Sequence, residues 1–110
     1  MVLETLFGGS TAAKVLMYLQ NYEEGYAGGI AKTFGIPLSM VQRQLKKFET
    51  GGLLTSRPIG NARMFTWNSR NPTVSPLRAL LKDSFKYLPK DEINRYYRER
   101  RRPRRTSKPL

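Results

Sequence analysis

The side chains best suited to chemistry lie in one short segment near the middle of the chain. Its apolar residues Val41, Leu45 and Phe48 recur at helical spacing. At about 100° per residue, the opposite face of such a helix carries Ser39, Arg43, Lys46, Lys47 and Thr50. Guanidinium and ammonium groups bind anionic oxygens, and a guanidinium group can do so through paired hydrogen bonds. This face is therefore typical of a surface that binds a polyanion.

The charge of the whole chain favours the same kind of partner. Lys and Arg number 20 and Asp and Glu number 8, for a net charge of +12. Residues 95–110 alone hold eight basic side chains and a single acid, Glu99. Such a balance favours nucleic acid as a partner, although a basic tail can also serve only to keep a protein in solution.

The composition argues against an enzyme. The chain has no cysteine and no histidine, which excludes zinc sites made of thiolates and imidazoles, and also Ser-His or Cys-His catalysis. The acidic pairs Glu23-Glu24 and Asp91-Glu92 have no catalytic partners, and are more simply surface and helix-start charges. We expect no enzymatic activity, no metal and no cofactor.

The first two helices are predicted from capping residues and apolar spacing. Ser10 is the expected N-cap of a helix that buries Ala12, Val15, Leu16 and Leu19 and ends near Asn21. A second, shorter helix is predicted from Ala27 to Phe34, with Gly35 as a left-handed C-cap residue. The Gly28-Gly29 pair weakens this second helix and belongs in its first turn.

The third helix and a hairpin follow directly. Ser39 is the expected N-cap of the third helix, Gln42 completes a capping box, and Gly51-Gly52 ends the helix. Two strands are predicted, over Leu53–Pro58 and Arg63–Trp67, and the Gly-Asn pair between them indicates a turn. Pro58 suits an edge strand. The aromatic residues expected in the core are Tyr18, Phe48, Phe65 and Trp67.

Further helices are predicted near the C-terminus. Ser75 is the expected cap of a fourth helix with Pro76 at its first position. A stripe at helical spacing follows, made of Leu77, Leu80, Leu81, Ser84, Phe85 and Leu88. A last helix is predicted over Lys90–Arg101, and the basic tail after Pro103 is expected to be disordered.

The order of these elements is that of a helix-turn-helix followed by a hairpin. Tyr26–Leu54 resembles the core of ArsR-type and MarR-type winged-helix regulators. The matching residues are Ile30, Ala31, Gly35, Ile36, Ser39, Val41, Arg43, Leu45, Gly52, Leu53 and Leu54. The hairpin from Arg57 to Asn68 also resembles the wing of that family, so the resemblance spans roughly Leu6 to Asn68. It also extends to the winged-helix domain fused to small nucleotidyltransferases.

The resemblance implies an α+β, mainly α-helical, winged helix-turn-helix fold: a three-helix core plus a β-hairpin wing, with additional C-terminal helices. We expect a DNA-binding domain over residues 1–72, a helical extension over 73–102 and a basic tail over 103–110. The family's metal sensing is not expected, because cysteine and histidine are absent.

The residue types of the third helix suit double-stranded DNA, because a helix fits the major groove and a helix-turn-helix aims its second helix at base edges. Arg43 is expected to pair with guanine, Gln42 with adenine and Met40 with a thymine methyl group. Phosphate contacts are expected from Ser39, Lys46 and Lys47, and wing contacts with phosphate or the minor groove from Arg57, Asn61 and Arg63.

Two questions about partners stay open from the sequence. The first is whether the leucine stripe of the fourth helix closes the core of the monomer or forms a homodimer interface, and we expect the dimer. The second is whether the chain is instead an adaptor that binds protein or RNA, which would favour an exposed apolar patch on the third helix. Apolar runs are short and no signal-peptide pattern is present, so we expect a cytoplasmic, nucleoid-associated protein.

Overall fold

The computed structural model describes residues 2–99. In that range it has six α-helices, one 3-10 turn and three strands. In chain order they are α1 Val2–Phe7, α2 Ser10–Tyr22, β1 Glu24–Gly25, α3 Ala27–Phe34, α4 Leu38–Thr50, β2 Leu54–Ile59, β3 Ala62–Trp67, α5 Val74–Ser84, the 3-10 turn Phe85–Tyr87, and α6 Lys90–Tyr96. The predicted α+β, mainly helical architecture is confirmed. The sequence did not predict α1 or β1, because each is too short to show a period.

Helix α2 lies at the centre of the core. It packs against α1, α3, α4 and α5, so its apolar residues are buried on nearly all sides, as expected of a helix enclosed by others. They are Ala12, Ala13, Val15, Leu16, Met17, Tyr18 and Leu19. Residues of α5, the 3-10 region and α6 join the same buried cluster, so the C-terminal helices share this core.

Helices α3 and α4 form the predicted helix-turn-helix. Gly35 ends α3 with a φ of 67° and donates its N–H to the carbonyl of Ala31, which confirms the left-handed C-cap. The prediction for the start of α4 was wrong: the helix begins at Leu38, and its N-cap is Pro37, which makes no side-chain capping bond. Ser39 and Gln42 therefore form no capping box. The carbonyl of Pro37 accepts the N–H of Met40 at 3.1 Å instead, because proline's fixed φ suits the residue that precedes a helix.

Two other predicted serine caps are also wrong. Ser10 is the first residue of α2, and the N-cap of that helix is Gly9, which makes no side-chain capping bond. Helix α5 begins at Val74, so Ser75 and Pro76 lie within its first turn. There the side chain of Asn71 accepts the N–H of Thr73 at 2.9 Å and starts the turn, and a proline in the first turn costs no helical hydrogen bond.

The hairpin of β2 and β3 is the wing. Its strands pair antiparallel in a register that sets Ile59 opposite Ala62, so the turn consists of Gly60 and Asn61. Gly60 has a φ of 60°, which explains the glycine at this position. Strand β1 pairs with the other edge of β3, in the order β1-β3-β2. Pro58 therefore lies on an edge strand, as predicted.

The leucine stripe does not continue as one helix. Helix α5 ends at Ser84 and a 3-10 turn follows. Leu81 and Leu88 are buried within the monomer, and Leu77 and Phe85 pack against the same core. Most of the stripe therefore closes the monomer, and Leu80 is its only apolar member in residues 2–99 with a large exposed fraction, 42%.

Helix α6 ends at Tyr96, well before the predicted Arg101. Side chains of α2 bind its final carbonyls: the Tyr22 hydroxyl donates to Tyr96 at 2.7 Å, and the Asn21 amide donates to Tyr97 at 2.8 Å. These bonds hold the end of α6 against α2. Burial raises the pKa of the Tyr97 phenol far above its ordinary value. Arg100 and Arg101, which the predicted helix included, and the basic tail lie outside the described residues.

Burial of one face of α4 predicts that two of its leucines contribute differently to the free energy of unfolding. Leu45 is 1% exposed and Leu38 is 47% exposed. Leu45→Ala should lower the free energy of unfolding by about 2–5 kcal/mol, because it leaves a cavity in the core. Leu38→Ala should change it by under about 0.5 kcal/mol. Urea denaturation followed by circular dichroism measures both, and equal losses would contradict this assignment of the buried face.

Candidate nucleic-acid interface

The predicted face of α4 points to solvent. Val41, Leu45 and Phe48 are buried, so the opposite side of the helix is left uncovered. All nine predicted site residues are exposed: Ser39, Met40, Gln42, Arg43, Lys46 and Lys47 on α4, and Arg57, Asn61 and Arg63 on the wing hairpin. The burial of the stripe therefore turns the cationic and amide groups outward together.

A cleft runs along one side of α4, between that helix, the start of α3 and the wing. We call it the wing cleft, and its volume is about 670 Å3. Four predicted residues meet on its walls, namely Gln42, Lys46, Asn61 and Arg63. Leu38, Leu45 and Phe65 give it an apolar floor, and Tyr26 also lines it. The wing cleft thus combines a polar, cationic rim with an apolar floor.

A second groove lies along the other side of α4. This amino-end groove, of about 310 Å3, separates α4 from the first residues of α2. Met40 and Arg43 line it, opposite Ser10 and Thr11. Gln44 also lines it, and its buried Oε1 has no hydrogen-bond donor in the part of the chain that the structure describes. The two sides of α4 therefore present different predicted residues to different grooves.

A chain of hydrogen bonds fixes Arg63 in the wing cleft. Arg63 Nε donates to Ser56 Oγ at 3.1 Å, and Ser56 Oγ donates to Glu49 Oε2 at 2.6 Å. The chain joins the wing to the last turn of α4 and orients the guanidinium group. The Glu49 carboxylate also lines the wing cleft, where the two cations Lys46 and Arg63 outnumber it. Glu49 and Ser56 could not be predicted from the sequence, because their contact depends on how the hairpin packs on α4.

Arg57 lies apart from the other predicted residues. Side chains alternate between the two faces of a strand, so Arg57 lies on the face opposite Ser56. Its guanidinium group is 3.2 Å from Glu24 Oε1 in an ion pair. The structure therefore separates Arg57 from the wing cleft and joins it to β1.

The two lysines of α4 also differ in their surroundings. Lys46 lines the wing cleft. The Lys47 Nζ atom lies 5.2 Å from the centre of the Phe48 ring, which is a cation–π distance. Lys47 thus lies further round the helix, outside the wing cleft.

Arg78 of α5 fixes the base of the wing. Its guanidinium group donates to Gln20 at 2.7 Å and to both carboxylate oxygens of Glu23 at 2.8 Å. It also lies 5.3 Å from the centre of the Trp67 ring, and the Trp67 indole N–H donates to the Leu19 carbonyl at 3.1 Å. These contacts tie β3 to α2 and α5, so Arg78 is a structural cation.

Tyr26 is the residue of the wing cleft that the sequence analysis missed. It precedes α3, is 44% exposed and lines the cleft beside Ala27 and Gly28. The Gly28-Gly29 pair was the one sign of it in the sequence, since two glycines weaken a short helix and indicate that a neighbouring group needs the space. A second finding is that Leu38 is exposed as well as Met40, although the two line different grooves. The start of α4 therefore exposes more apolar surface than the sequence suggested.

Within residues 2–99, no group of three or more acidic residues comes close enough together to hold a metal ion. None of the helices in this range has the length and apolar character needed to cross a bilayer.

Comparison with known proteins gives structural matches only. No family model matches the chain, and no curated protein matches it. Reduced HlyU from Vibrio cholerae superposes with a TM-score of 0.59 at 16% identity, over 80% of this chain and 87% of that one. The homodimeric winged helix-turn-helix DNA-binding domain of Mb0332 from Mycobacterium bovis, a possible ArsR-family transcriptional regulator, gives 0.56 at 18% identity, over 81% and 80%.

A MarR-family transcriptional regulator from Rhodococcus also matches, with a TM-score of 0.53 at 16% identity, over 83% of this chain and 71% of that one. At these identities the likeness concerns the fold. The chain has a winged helix-turn-helix fold like that of ArsR- and MarR-family regulators, as its sequence predicted.

Proposed function

We propose that this protein is a transcriptional regulator that binds double-stranded DNA, with α4 in the major groove. The observation that carries the proposal is the exposed face of α4, which presents guanidinium, ammonium and amide groups from the second helix of a helix-turn-helix. The fold is shared with the DNA-binding domain of Mb0332. The net charge of +12 supports a polyanionic partner.

The grooves beside α4 support this geometry. A helix with its side chains is about 10–12 Å across, and the major groove is about 12 Å wide. The two DNA strands that border the major groove would then lie along the two sides of α4. Lys46 and Arg63 border one side, where they would face the phosphates of one DNA strand, and Arg43 borders the other side.

The exposed side chains divide into those that suit contacts with bases and those that suit contacts with phosphates. Arg43 suits paired hydrogen bonds with guanine, Gln42 suits adenine and Met40 suits a thymine methyl group. Ser39, Lys46 and Lys47 suit phosphates. In the wing we assign the contacts to Asn61 and Arg63 rather than to Arg57, because Arg57 is paired with Glu24.

A base contact by Arg43 and a phosphate contact by Lys46 predict different effects of substituting these two residues of α4. Arg43→Ala should weaken binding to a selected duplex far more than to a random one, because an arginine–guanine pair gives about 1–3 kcal/mol of discrimination. Lys46→Ala should weaken both about equally, since a phosphate contact carries no sequence information. Both side chains are exposed, so both variants should fold. Duplexes selected from a random pool, titrated by fluorescence anisotropy, provide the measurement.

Equal losses on both duplexes for Arg43→Ala would make Arg43 a phosphate contact. If neither substitution changes binding, then α4 is not the reading helix and the proposal fails in favour of an adaptor.

We also assign the basic tail to phosphate binding without sequence preference. Residues 103–110 contain three basic side chains, Arg104, Arg105 and Lys108. Each phosphate contact releases counterions and adds about 0.9 to the slope of log K against log salt. Deleting residues 103–110 should therefore lower the magnitude of this slope by up to about 2.7, with base preference unchanged. An unchanged slope would show that these residues do not touch DNA.

Finally, we propose that the protein is a homodimer, as the Mb0332 domain is. Because most of the leucine stripe is internal, the interface is assigned to apolar residues that stay exposed on α1, α5 and the 3-10 turn. They are Val2, Leu6, Leu80 and Tyr87. Val2 and Tyr87 line one cavity, so α1 and the 3-10 turn meet at this surface.

The dimer assignment predicts a contrast between two exposed leucines. Leu6 is 58% exposed on α1, and Leu38 is 47% exposed at the start of α4. Leu6→Glu should shift the protein to monomer, because it places a charge in an apolar interface. Leu38→Glu should leave the dimer intact. Sedimentation equilibrium at micromolar concentration measures both, and a wild-type monomer would contradict the assignment.

A further inference from the structure

The Gly28-Gly29 pair makes room for the ring of Tyr26. A Cβ atom added to Gly29 would lie 3.0 Å from Tyr26 Cε1 and 3.2 Å from Cζ, and one added to Gly28 would lie 3.3 Å from Cε2. Neither glycine has a positive φ, so the backbone does not require glycine at either position. Space for the ring explains both, at a place where glycine weakens the helix.

The ring is thereby held against the first turn of α3. Its side chain gives α3 no capping hydrogen bond, and the residue stays 44% exposed. It forms one wall of the wing cleft, whose rim carries Lys46 and Arg63. An aromatic ring is thus positioned, at a cost in helix propensity, beside two cations on the proposed DNA-binding side.

We propose that Tyr26 is a DNA-contact residue of the wing cleft. Its ring packs against a deoxyribose, and its hydroxyl donates a hydrogen bond to a phosphate oxygen of the strand that passes between α4 and the wing. Gly28 and Gly29 are positioning residues, which act only through the ring. This inference rests on the proposed function and adds a contact to it.

The chemistry of the wing cleft favours a sugar–phosphate strand as its occupant. Such a strand alternates apolar sugar faces with anionic phosphates, and the cleft combines an apolar floor with the cations Lys46 and Arg63. The acid in the cleft, Glu49, accepts a hydrogen bond from Ser56. An apolar small molecule would leave the two cations unused.

Tyr26→Phe tests the hydroxyl alone. It should lower affinity for selected and random duplexes alike by about tenfold, the order expected for one hydrogen bond to a charged group. The slope of log K against log salt should stay unchanged, because a neutral hydroxyl displaces no counterion. Lys46→Ala is the matched control in the same cleft. It should lower the magnitude of the slope of log K against log salt, because it removes a charged phosphate contact.

Gly29→Ala tests the positioning role. The added methyl group should displace the ring and weaken binding at least as much as Tyr26→Phe does. The melting temperature should hold or rise, because alanine is the better helix former. In a Tyr26→Ala background the same change should have no further effect on binding. Gly51→Ala is the control, since Gly51 also lacks a positive φ and has no contact with Tyr26.

The outcomes are separable. If the wild-type chain binds duplex and Tyr26→Phe binds equally well, the contact between the hydroxyl and a phosphate is overturned. If Tyr26→Ala also binds as well as the wild type, Tyr26 is not a contact and the whole inference is overturned while the proposed function stands. If Gly29→Ala weakens binding even without the ring, the positioning role is overturned. A wild-type chain that binds no duplex at all overturns the proposed function itself.

Discussion

The structure depends on the burial of one stripe of α4 against the central helix. Val41, Leu45 and Phe48 are at most 5% exposed, and they hold α4 in a single rotation about its axis. A helix has only two broad faces, so this burial also determines which side chains reach solvent. The cationic and amide groups of α4 point outward together because the apolar groups point inward together, and the proposed interface is a consequence of core packing.

The orientation of the wing depends on a second set of contacts. The indole of Trp67 bonds to the carbonyl of Leu19, and Arg78 bridges Glu23 and Gln20 beside the same ring. These contacts fix the base of the hairpin, and the bonds from Arg63 through Ser56 to Glu49 fix its inner face. The wing cleft therefore has walls whose positions are set before any partner binds, which favours binding through a low cost of ordering.

Sequence reasoning succeeded where a short segment determines its own structure. The period of α4, the left-handed Gly35 and the Gly-Asn turn are local, and all three were predicted correctly. The serine caps failed because Pro37 and Asn71 offered competing local solutions. The leucine stripe was assigned to a dimer because a sequence period shows which residues share a face but not what covers it. The ion pair of Arg57 with Glu24 and the place of Tyr26 in the wing cleft could not be predicted for a related reason, because both arise only when the wing packs on the rest of the fold.

The central claim is that the exposed face of α4 and the inner face of the wing bind the same duplex. Amide chemical-shift mapping during titration with a selected duplex tests it most directly, because every backbone N–H reports separately. The account predicts that the largest shifts lie in residues 38–47 and 60–63, with smaller ones near Tyr26 and small changes around Arg78. Shifts concentrated on α1 and α5, with α4 unchanged, would contradict it.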